Sequence, residues 1–248
     1  MLESLNIALP TIDQTRPIAP QLHRRLRERI IRNELRANQK ISESEIAEQY
    51  GVSRQPVREA FIRLAEESLV AILPQRGTRV RPIALSAVRD ARFIREAIEA
   101  DIVTLLAQRP DPLWLAELRR LLDEQRHIAA THPQAFIAAD EDFHRTLSSA
   151  AGKSGIWQRV QGLKSQMDRV RFLSLERFDV FKLVVQHEAI VDGIAIGDPA
   201  AAESAMRLHL REILKDLPII ATENPDVFDE PSEDVEDRVI HFQGGERS

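Results

Sequence analysis

Three histidines and one aspartate in the second half of the chain could together bind a metal ion. Asp140 and His144 are four residues apart, so their side chains project from the same side of a helix. His187 and His209 lie on the apolar stripes of two further predicted helices. Buried imidazoles and a carboxylate need polar partners, and one shared divalent ion would satisfy all four. This ligand set suits Zn²⁺, Ni²⁺, Mn²⁺ or Fe²⁺. The chain has no cysteine, which excludes thiolate sites.

Other interpretations of these residues stay open at this stage. A single histidine on an apolar face is more often a core residue with one hydrogen bond, and ligands spread over residues 140–209 form no compact motif. A metal with an open position could also activate water in a metalloenzyme. However, no neighbouring acid or base accompanies the ligands, as the glutamate does in His-Glu-x-x-His. A third possibility is a sensor in which the ion itself is the signal.

Six helices with short connections are predicted to position these ligands. Apolar periodicity, cap residues and prolines place them at residues 86–108, from 112 onward, 133–152, 154–175, 180–196 and 199–217. Such a run of helices is typical of an antiparallel all-α bundle.

Charge is distributed unevenly along the 248 residues, although the net charge is only −5. Residues 16–82 contain fourteen basic and eight acidic side chains, whereas residues 223–248 contain two basic and nine acidic ones. The basic segment is compatible with a nucleic-acid partner. The chain has neither a secretory signal nor an apolar run long enough for a membrane span, so we expect a cytoplasmic protein without a membrane partner.

The basic segment has the element order of a winged helix-turn-helix. A helix is predicted at 21–35, and a short one at 45–49 is capped by Ser42 and followed by a turn at Gly51. Ser53 is expected to cap a third helix, which has Pro56 in its first turn. Two β-like runs, 69–73 and 78–81, then form a hairpin. The overall prediction is a mainly α protein in which this winged domain precedes the helical bundle.

Residues 41–80 resemble the DNA-binding domain of GntR-type bacterial regulators. The resemblance is carried by Tyr50-Gly-Val-Ser-Arg-Gln-Pro-Val-Arg-Glu-Ala and by Pro74-Gln-Arg-Gly-Thr-Arg-Val. The family's Pro-Gly before the second helix is replaced by Ala37-Asn38, and its glycine after the third helix by Ser68. The resemblance implies DNA contacts by the following residues: Ser53, Arg54, Gln55, Arg58, Arg76 and Gly77. Arginine pairs with guanine and glutamine with adenine in the major groove, and a basic wing tip suits the minor groove. The alternative for Arg58 is an ion pair with Glu59 or Glu66.

The helical part is similar to the FCD effector domain of the FadR branch of this family. The matching pieces are Asp140-x-x-Phe-His144, His187, Gly197-Asp-Pro and Met206-x-x-His209. The resemblance implies that these four ligands hold a divalent transition metal, for which we expect zinc first, and that a small organic acid completes its shell. It also implies that Arg95 meets the acid's carboxylate, although an ion pair with Glu99 is an alternative. Gln166 and Arg169 are further candidates for effector contacts.

Together these observations predict four segments and one function. We expect a flexible start at 1–15, the winged domain at 16–82, a metal- and effector-binding, dimerising domain at 83–222, and an acidic, disordered tail at 223–248. The expected protein is no enzyme but a homodimeric transcription regulator. By resemblance, it represses a catabolic or transport operon and leaves a palindromic double-stranded DNA operator when the acid binds.

Overall fold

In the computed structural model, which describes residues 12–175 and 179–229, the N-terminal part forms three helices and a three-stranded sheet. The elements are α1 (Ile18–Ile31), β1 (Lys40–Ile41), α2 (Glu43–Tyr50), α3 (Arg54–Glu66), β2 (Val70–Leu73) and β3 (Gly77–Val80). Strand β3 lies between β1 and β2 and is antiparallel to both. The predicted winged helix-turn-helix is therefore confirmed, and β1 is a strand that the sequence did not reveal.

The two helices of the helix-turn-helix begin in different ways. The Ser42 hydroxyl accepts a hydrogen bond from the Glu45 amide at 3.1 Å, and Gly51 ends α2 with a φ of 62°. Ser53 occupies the cap position of α3, but its side chain makes no capping hydrogen bond, so that part of the prediction is wrong. The physical reason is Pro56, which stands at the third helical position and has no N–H to donate.

The second part of the chain is a bundle of helices, as expected. They are α4 (Leu85–Gln108), α5 (Pro112–Thr131), α6 (Phe136–Ala150), α7 (Ser154–Leu163), α8 (Ser165–Ser174), α9 (Phe181–Ala195) and α10 (Pro199–Glu223). A 3-10 turn, Pro133–Ala135, precedes α6. Helices α4 and α9 both pack against α10, and their shared core includes Val103, Ile190 and Met206.

The single helix predicted at 154–175 is two helices that meet at Lys164. Gly162 weakens the helix interior, and the Ser165 hydroxyl oxygen, 3.2 Å from the Gly162 carbonyl, lies close enough to disturb the regular backbone ladder. The apolar side chains Met167 and Val170 of α8 join a core with residues of α4 and α10.

The C-terminal boundary also differs from the prediction. Helix α10 passes through Pro218 to Glu223 instead of ending at 217. Phe228 is buried against Ile83, and the Asp229 amide donates to the Ile83 carbonyl at 3.0 Å. Residues 223–229 are therefore part of the helical domain and not of a disordered tail. Residues 230–248 and 1–11 lie outside the described residues. Within the described ranges, no helix is long and apolar enough to cross a membrane.

Candidate functional site

Helices α6, α9 and α10 bring the four predicted metal ligands together. Asp140, His144, His187 and His209, here called the Asp140–His cluster, are all buried, and one ligand atom from each lies within 4.8 Å of the others. The Nε2 atom of His209 lies 3.2 Å from Nε2 of His144 and 3.2 Å from Nε2 of His187. Oδ1 of Asp140 lies 3.7 Å and 3.5 Å from the Nε2 atoms of His144 and His187.

These distances fit ligation of one ion. Two ligands that each lie about 2.0–2.1 Å from a metal are about 2.8–3.0 Å apart at right angles and about 3.3–3.4 Å apart at tetrahedral angles. The separations within the cluster are equal to this or slightly larger. The donor set of three imidazoles and one carboxylate could therefore hold a divalent transition metal with little movement.

The outer nitrogens of the histidines are held by neighbours that the sequence did not single out. Nδ1 of His187 lies 2.7 Å from Oε1 of Gln125, and Nδ1 of His209 lies 3.1 Å from Oε1 of Gln186. An amide oxygen only accepts, so each Nδ1 must carry the proton. Nδ1 of His144 lies 2.5 Å from Oε2 of Glu99, whose negative charge favours a proton there as well. In neutral rings all three Nε2 atoms then present lone pairs towards one another.

Asp140 adds negative charge to this arrangement of lone pairs. Its Oδ2 accepts a hydrogen bond from Arg171 of α8, whereas its buried Oδ1 has no hydrogen-bond partner and faces the histidines. Burial by itself would raise the pKa of Asp140, but Arg171 and His144 hold it well below its usual value. Burial lowers the pKa of His187 to about 3 and that of His209 well below its usual value. The neutral imidazoles of His187 and His209 beside a carboxylate are in the protonation state that binds a cation.

Arg95 is buried close to the cluster and forms the ion pair that was its alternative assignment. Its Nε donates to Oε1 of Glu99 at 2.5 Å, and Oε2 of the same Glu99 contacts His144. Burial by itself would raise the pKa of Glu99, but Arg95 and His144 lower it to about 2. Nη1 of Arg95 is buried without a hydrogen-bond partner. Arg95 therefore has an unused donor besides its structural pair.

Gln166 and Arg169, the two other predicted effector contacts, point to the winged domain instead. Nε2 of Gln166 donates to the Ser68 carbonyl at 2.8 Å, and Nη1 of Arg169 donates to the Arg81 carbonyl at 2.7 Å. Gln166 and Arg169 are three residues apart and lie on one face of α8, whereas Arg171 lies on another face and contacts Asp140. Gln166 and Arg169 therefore connect the two domains in this structure.

The predicted DNA contacts on α3 are exposed at its N-terminal end. Ser53, Arg54, Gln55 and Arg58 all face solvent. Arg58 pairs with neither Glu59 nor Glu66. Its Nε lies 3.1 Å from Oε1 of Glu43 on α2, and Nη2 of Arg54 lies 3.4 Å from Oε2 of the same carboxylate. Such exposed ion pairs contribute only about 0–1 kcal/mol to stability. Arg54 and Arg58 can therefore leave the Glu43 carboxylate and bind DNA instead.

The turn between β2 and β3 presents the two remaining predicted contacts. Arg76 and Gly77 are both exposed at the tip of the wing. Gly77 has a φ of 85°, a conformation that suits glycine, and a side chain there would also contact Lys40. At the tip, the basic Arg76 is therefore followed by a glycine whose backbone no side chain shields. This combination suits close approach to the minor groove of DNA.

Two family models match the two parts of this chain. The family described as "Bacterial regulatory proteins, gntR family" matches residues 18–80, and the FCD domain matches residues 90–212. The first range contains every predicted DNA contact, and the second contains the whole Asp140–His cluster.

Individual relatives agree with the family matches. The chain is 36% identical over 222 residues to the HTH-type transcriptional repressor RspR of Escherichia coli (strain K12), covering 88% of this chain and 97% of the relative. It is 31% identical over 175 residues to a probable D-xylose utilization operon transcriptional repressor of Paenarthrobacter nicotinovorans, covering 70% and 77%. Among solved structures, E. coli McbR/YncC shares the fold with a TM-score of 0.69 at 17% identity, covering 83% of this chain and 97% of that one.

Proposed function

We propose that this protein is a metal-dependent repressor that a small organic acid releases from DNA. The chain belongs to the gntR family of bacterial regulatory proteins and carries an FCD domain. Transcription regulation is the activity of the family, and the relatives compared above are regulators and not enzymes. Metalloenzyme chemistry is therefore not proposed. The metal, the acid and the release mechanism are our inference.

One observation carries the metal part of the proposal. Three Nε2 atoms converge on the unpartnered Oδ1 of Asp140 in a buried site. With neutral imidazoles and no cation, four electron-rich atoms would face one another at a distance of about 3–4 Å. A divalent ion, for which Zn²⁺ is our first candidate and Ni²⁺, Mn²⁺ and Fe²⁺ are alternatives, would remove this repulsion. Asp140, His144, His187 and His209 would hold the ion, and it would supply a positive charge to an acidic ligand.

The effector part of the proposal depends on Arg95. Its unpartnered Nη1 lies in the same buried region as Glu99 and His144. A carboxylate bound beside the metal would satisfy this donor, and a charge-assisted hydrogen bond there would be short and strong. The effector is therefore a small carboxylic acid. Binding of the acid weakens DNA binding only if the protein binds the acid with different affinities in the DNA-bound and the DNA-free arrangement of its domains.

On the DNA, we propose that a homodimer binds an imperfect palindrome in a catabolic or transport operon. Ser53, Arg54, Gln55 and Arg58 would read base edges in the major groove, and Arg76 and Gly77 would approach the minor groove. The two-fold axis of the dimer would set the spacing of the half-sites. The probable D-xylose utilization repressor among the relatives supports a role in carbon catabolism.

A second function, metal sensing, is favoured by the burial of the cluster. The side chains of His144 and His187 are 0% exposed, so an ion reaches the site more easily than an organic acid does. In that case the ion itself would change the affinity for DNA, and no acid would be required.

The deciding experiment measures operator affinity in three states of one preparation. An operator is first selected from a random duplex pool, and binding is followed by fluorescence anisotropy with chelator-stripped protein, with Zn²⁺-loaded protein, and with Zn²⁺ plus a panel of hydroxy, dicarboxylic and sugar acids. We expect one acid class to weaken binding about 5- to 150-fold. A change caused by Zn²⁺ alone, with no acid active, indicates the metal sensor. His187→Ala should abolish the response while exposed His127→Ala retains it. A protein that responds to neither metal nor acid would refute both functions.

A further inference from the structure

Helix α8 lies between the Asp140–His cluster and the winged domain and makes polar contacts with both. Near its C-terminal end, Arg171 donates to Oδ2 of Asp140. About one turn earlier, Oδ2 of Asp168 accepts a hydrogen bond from Arg27 of α1 at 2.9 Å. At its N-terminal end, the Ser165 hydroxyl donates to Oε2 of Glu67, just after α3, at 2.8 Å. One helix of ten residues thus contacts a predicted metal ligand and two parts of the DNA-binding domain.

The contacts with the winged domain are buried and specific. Side chains from α8 also donate to backbone carbonyls of Ser68 and Arg81, at the two ends of the wing hairpin. Asp168 is held in place by Lys164, whose Nζ lies 2.7 Å and 2.9 Å from its two carboxylate oxygens. Removing one partner of a buried pair leaves an uncompensated charge, so the winged domain has a strong preference for this position relative to α8.

The opposite side of α8 is anchored in the bundle. Met167 and Val170 are fully buried in a core that they share with Val88 of α4 and Ile213 of α10. A close-packed contact of this kind moves between discrete arrangements and does not deform continuously. Helix α8 can therefore pass a change at Arg171 to the winged domain as a rigid element.

We propose that α8 couples metal occupancy of the Asp140–His cluster to the position of the winged domain, with Arg171 as the positioning residue at the cluster. This inference rests on the metal site of the proposed function. Without a cation, Arg171 is the cationic side chain that hydrogen-bonds the Asp140 carboxylate. A divalent ion at Oδ1 takes part of that negative charge and weakens the attraction between Asp140 and Arg171. Arg171 then relaxes, α8 shifts, and the domain bonded to Asp168, Gln166 and Arg169 moves with it.

A distance measurement within one chain tests the coupling directly. The chain contains no cysteine, so Glu48→Cys on α2 and Ala116→Cys on α5 provide two unique positions for spin labels. Labelled protein is diluted into unlabelled protein so that only distances within one chain are recorded, and Zn²⁺ content is measured on the same samples. We expect the distance distribution to shift between the chelator-treated and the Zn²⁺-loaded state.

Variants at both ends of α8 determine whether the shift passes through it. Arg171→Gln should bind Zn²⁺ in the wild-type ratio but lose the shift, whereas Arg145→Gln, which removes an exposed pair with Asp142 on α6, should keep it. Arg27→Gln breaks the contact with the winged domain far from the cluster and should also lose the shift, with exposed Arg24→Gln as its control. A full shift in both Arg171→Gln and Arg27→Gln overturns the inference, as does Zn²⁺ binding to wild type without any shift. Wild-type protein that takes up no Zn²⁺ refutes the metal site itself.

Discussion

Nδ1 of His187 lies 2.7 Å from Oε1 of Gln125, and Nε2 of Gln125 donates to the Ala139 carbonyl at 3.0 Å. The second bond fixes which end of the amide faces the imidazole, because only the NH₂ group can donate to a carbonyl. Gln125 therefore determines the tautomer of His187 and aims its Nε2 lone pair at the Asp140–His cluster. Gln125 lies on α5, and its bond to Ala139 of α6, the residue before Asp140, connects this control to Asp140 as well.

Replacing Gln125 by Leu should weaken metal binding without removing a ligand. The loss of the acceptor at Nδ1 permits the wrong tautomer of His187, and changes of this kind cost about 10- to 100-fold in metal affinity. Competition with a coloured chelator measures the affinity, and circular dichroism checks the fold. Exposed Gln158→Leu on α7 is the matched control and should bind metal as wild type does. Equal affinities in the two variants would rule out a role for Gln125 at the site.

The four ligands could be predicted from sequence because each is a polar residue on an apolar helical stripe. Asp140 and His144 share a helix, so local spacing alone places them together. Their partners Gln125, Gln186 and Arg171 could not be found in this way. Glutamine and arginine are ordinary on a solvated helix face, and only the packing of α5, α8 and α9 around the ligands shows that these three are turned inward.

The division of the predicted helix 154–175 is a second limit of sequence patterns. The apolar residues Val160, Leu163, Met167 and Val170 continue one helical stripe through the break. The stripe therefore predicts one helix, and it does not show that Gln166 and Arg169 contact the winged domain. The break depends on local bonds of Ser165 and on the burial of Lys164, which is 1% exposed and pairs with Asp168. Such a buried ion pair across a helix junction has no periodic signature.

Glu43 should act as a competitor for the two arginines that we expect to read DNA. Arg58→Ala should lower operator affinity by about 1–3 kcal/mol and relax specificity at one base position, because a bidentate contact is lost. Glu43→Gln should have the opposite effect and raise operator affinity. Arg54 and Arg58 then no longer have to break an ion pair with Glu43 before they bind DNA. Anisotropy titrations at several salt concentrations separate the base contact from the general attraction to phosphate. Arg63→Ala, exposed later on the same helix, is the control. Unchanged affinity in Arg58→Ala would refute its assigned role.

The stability of the metal-free protein should fall below neutral pH because of the buried histidines. Burial lowers the pKa of His187 to about 3, whereas a histidine in the unfolded chain titrates near 6.5. Between these values the unfolded chain binds a proton that the folded protein does not, so the free energy of unfolding decreases as pH falls. The slope is about 1.4 kcal/mol per pH unit for each such histidine. The pKa values of Asp140 and Glu99 are also lowered, but these groups act only below pH 4–5.

Urea unfolding with a chelator at pH 7.5 and 5.5 measures this slope. His187→Gln should reduce it, and His127→Gln, an exposed histidine on α5, should leave it unchanged. A free energy of unfolding that stays constant between the two pH values would mean that the histidines are not held neutral in the folded protein.

The proposed homodimer should form through the exposed surface of α4 and α10. Phe93 on α4 and Leu208 on α10 are 66% and 56% exposed in the single chain, and the two helices pack against each other. Both lie within three residues of an ion-pair network in which Arg207 and Arg211 bind Glu96, so a polar rim accompanies the apolar pair. An apolar centre beside a polar rim is typical of subunit interfaces.

Phe93→Asp combined with Leu208→Asp should convert the dimer to a monomer. In a two-fold interface each substitution appears twice, so four buried carboxylates would oppose association. Analytical ultracentrifugation should show half the mass, and affinity for a palindromic operator should fall because the two winged domains then bind independently. Leu113→Asp combined with Ile196→Asp changes two apolar residues that are even more exposed, on neither α4 nor α10, and should remain dimeric. A dimer that persists in the first variant but not in the second would place the interface at the other surface.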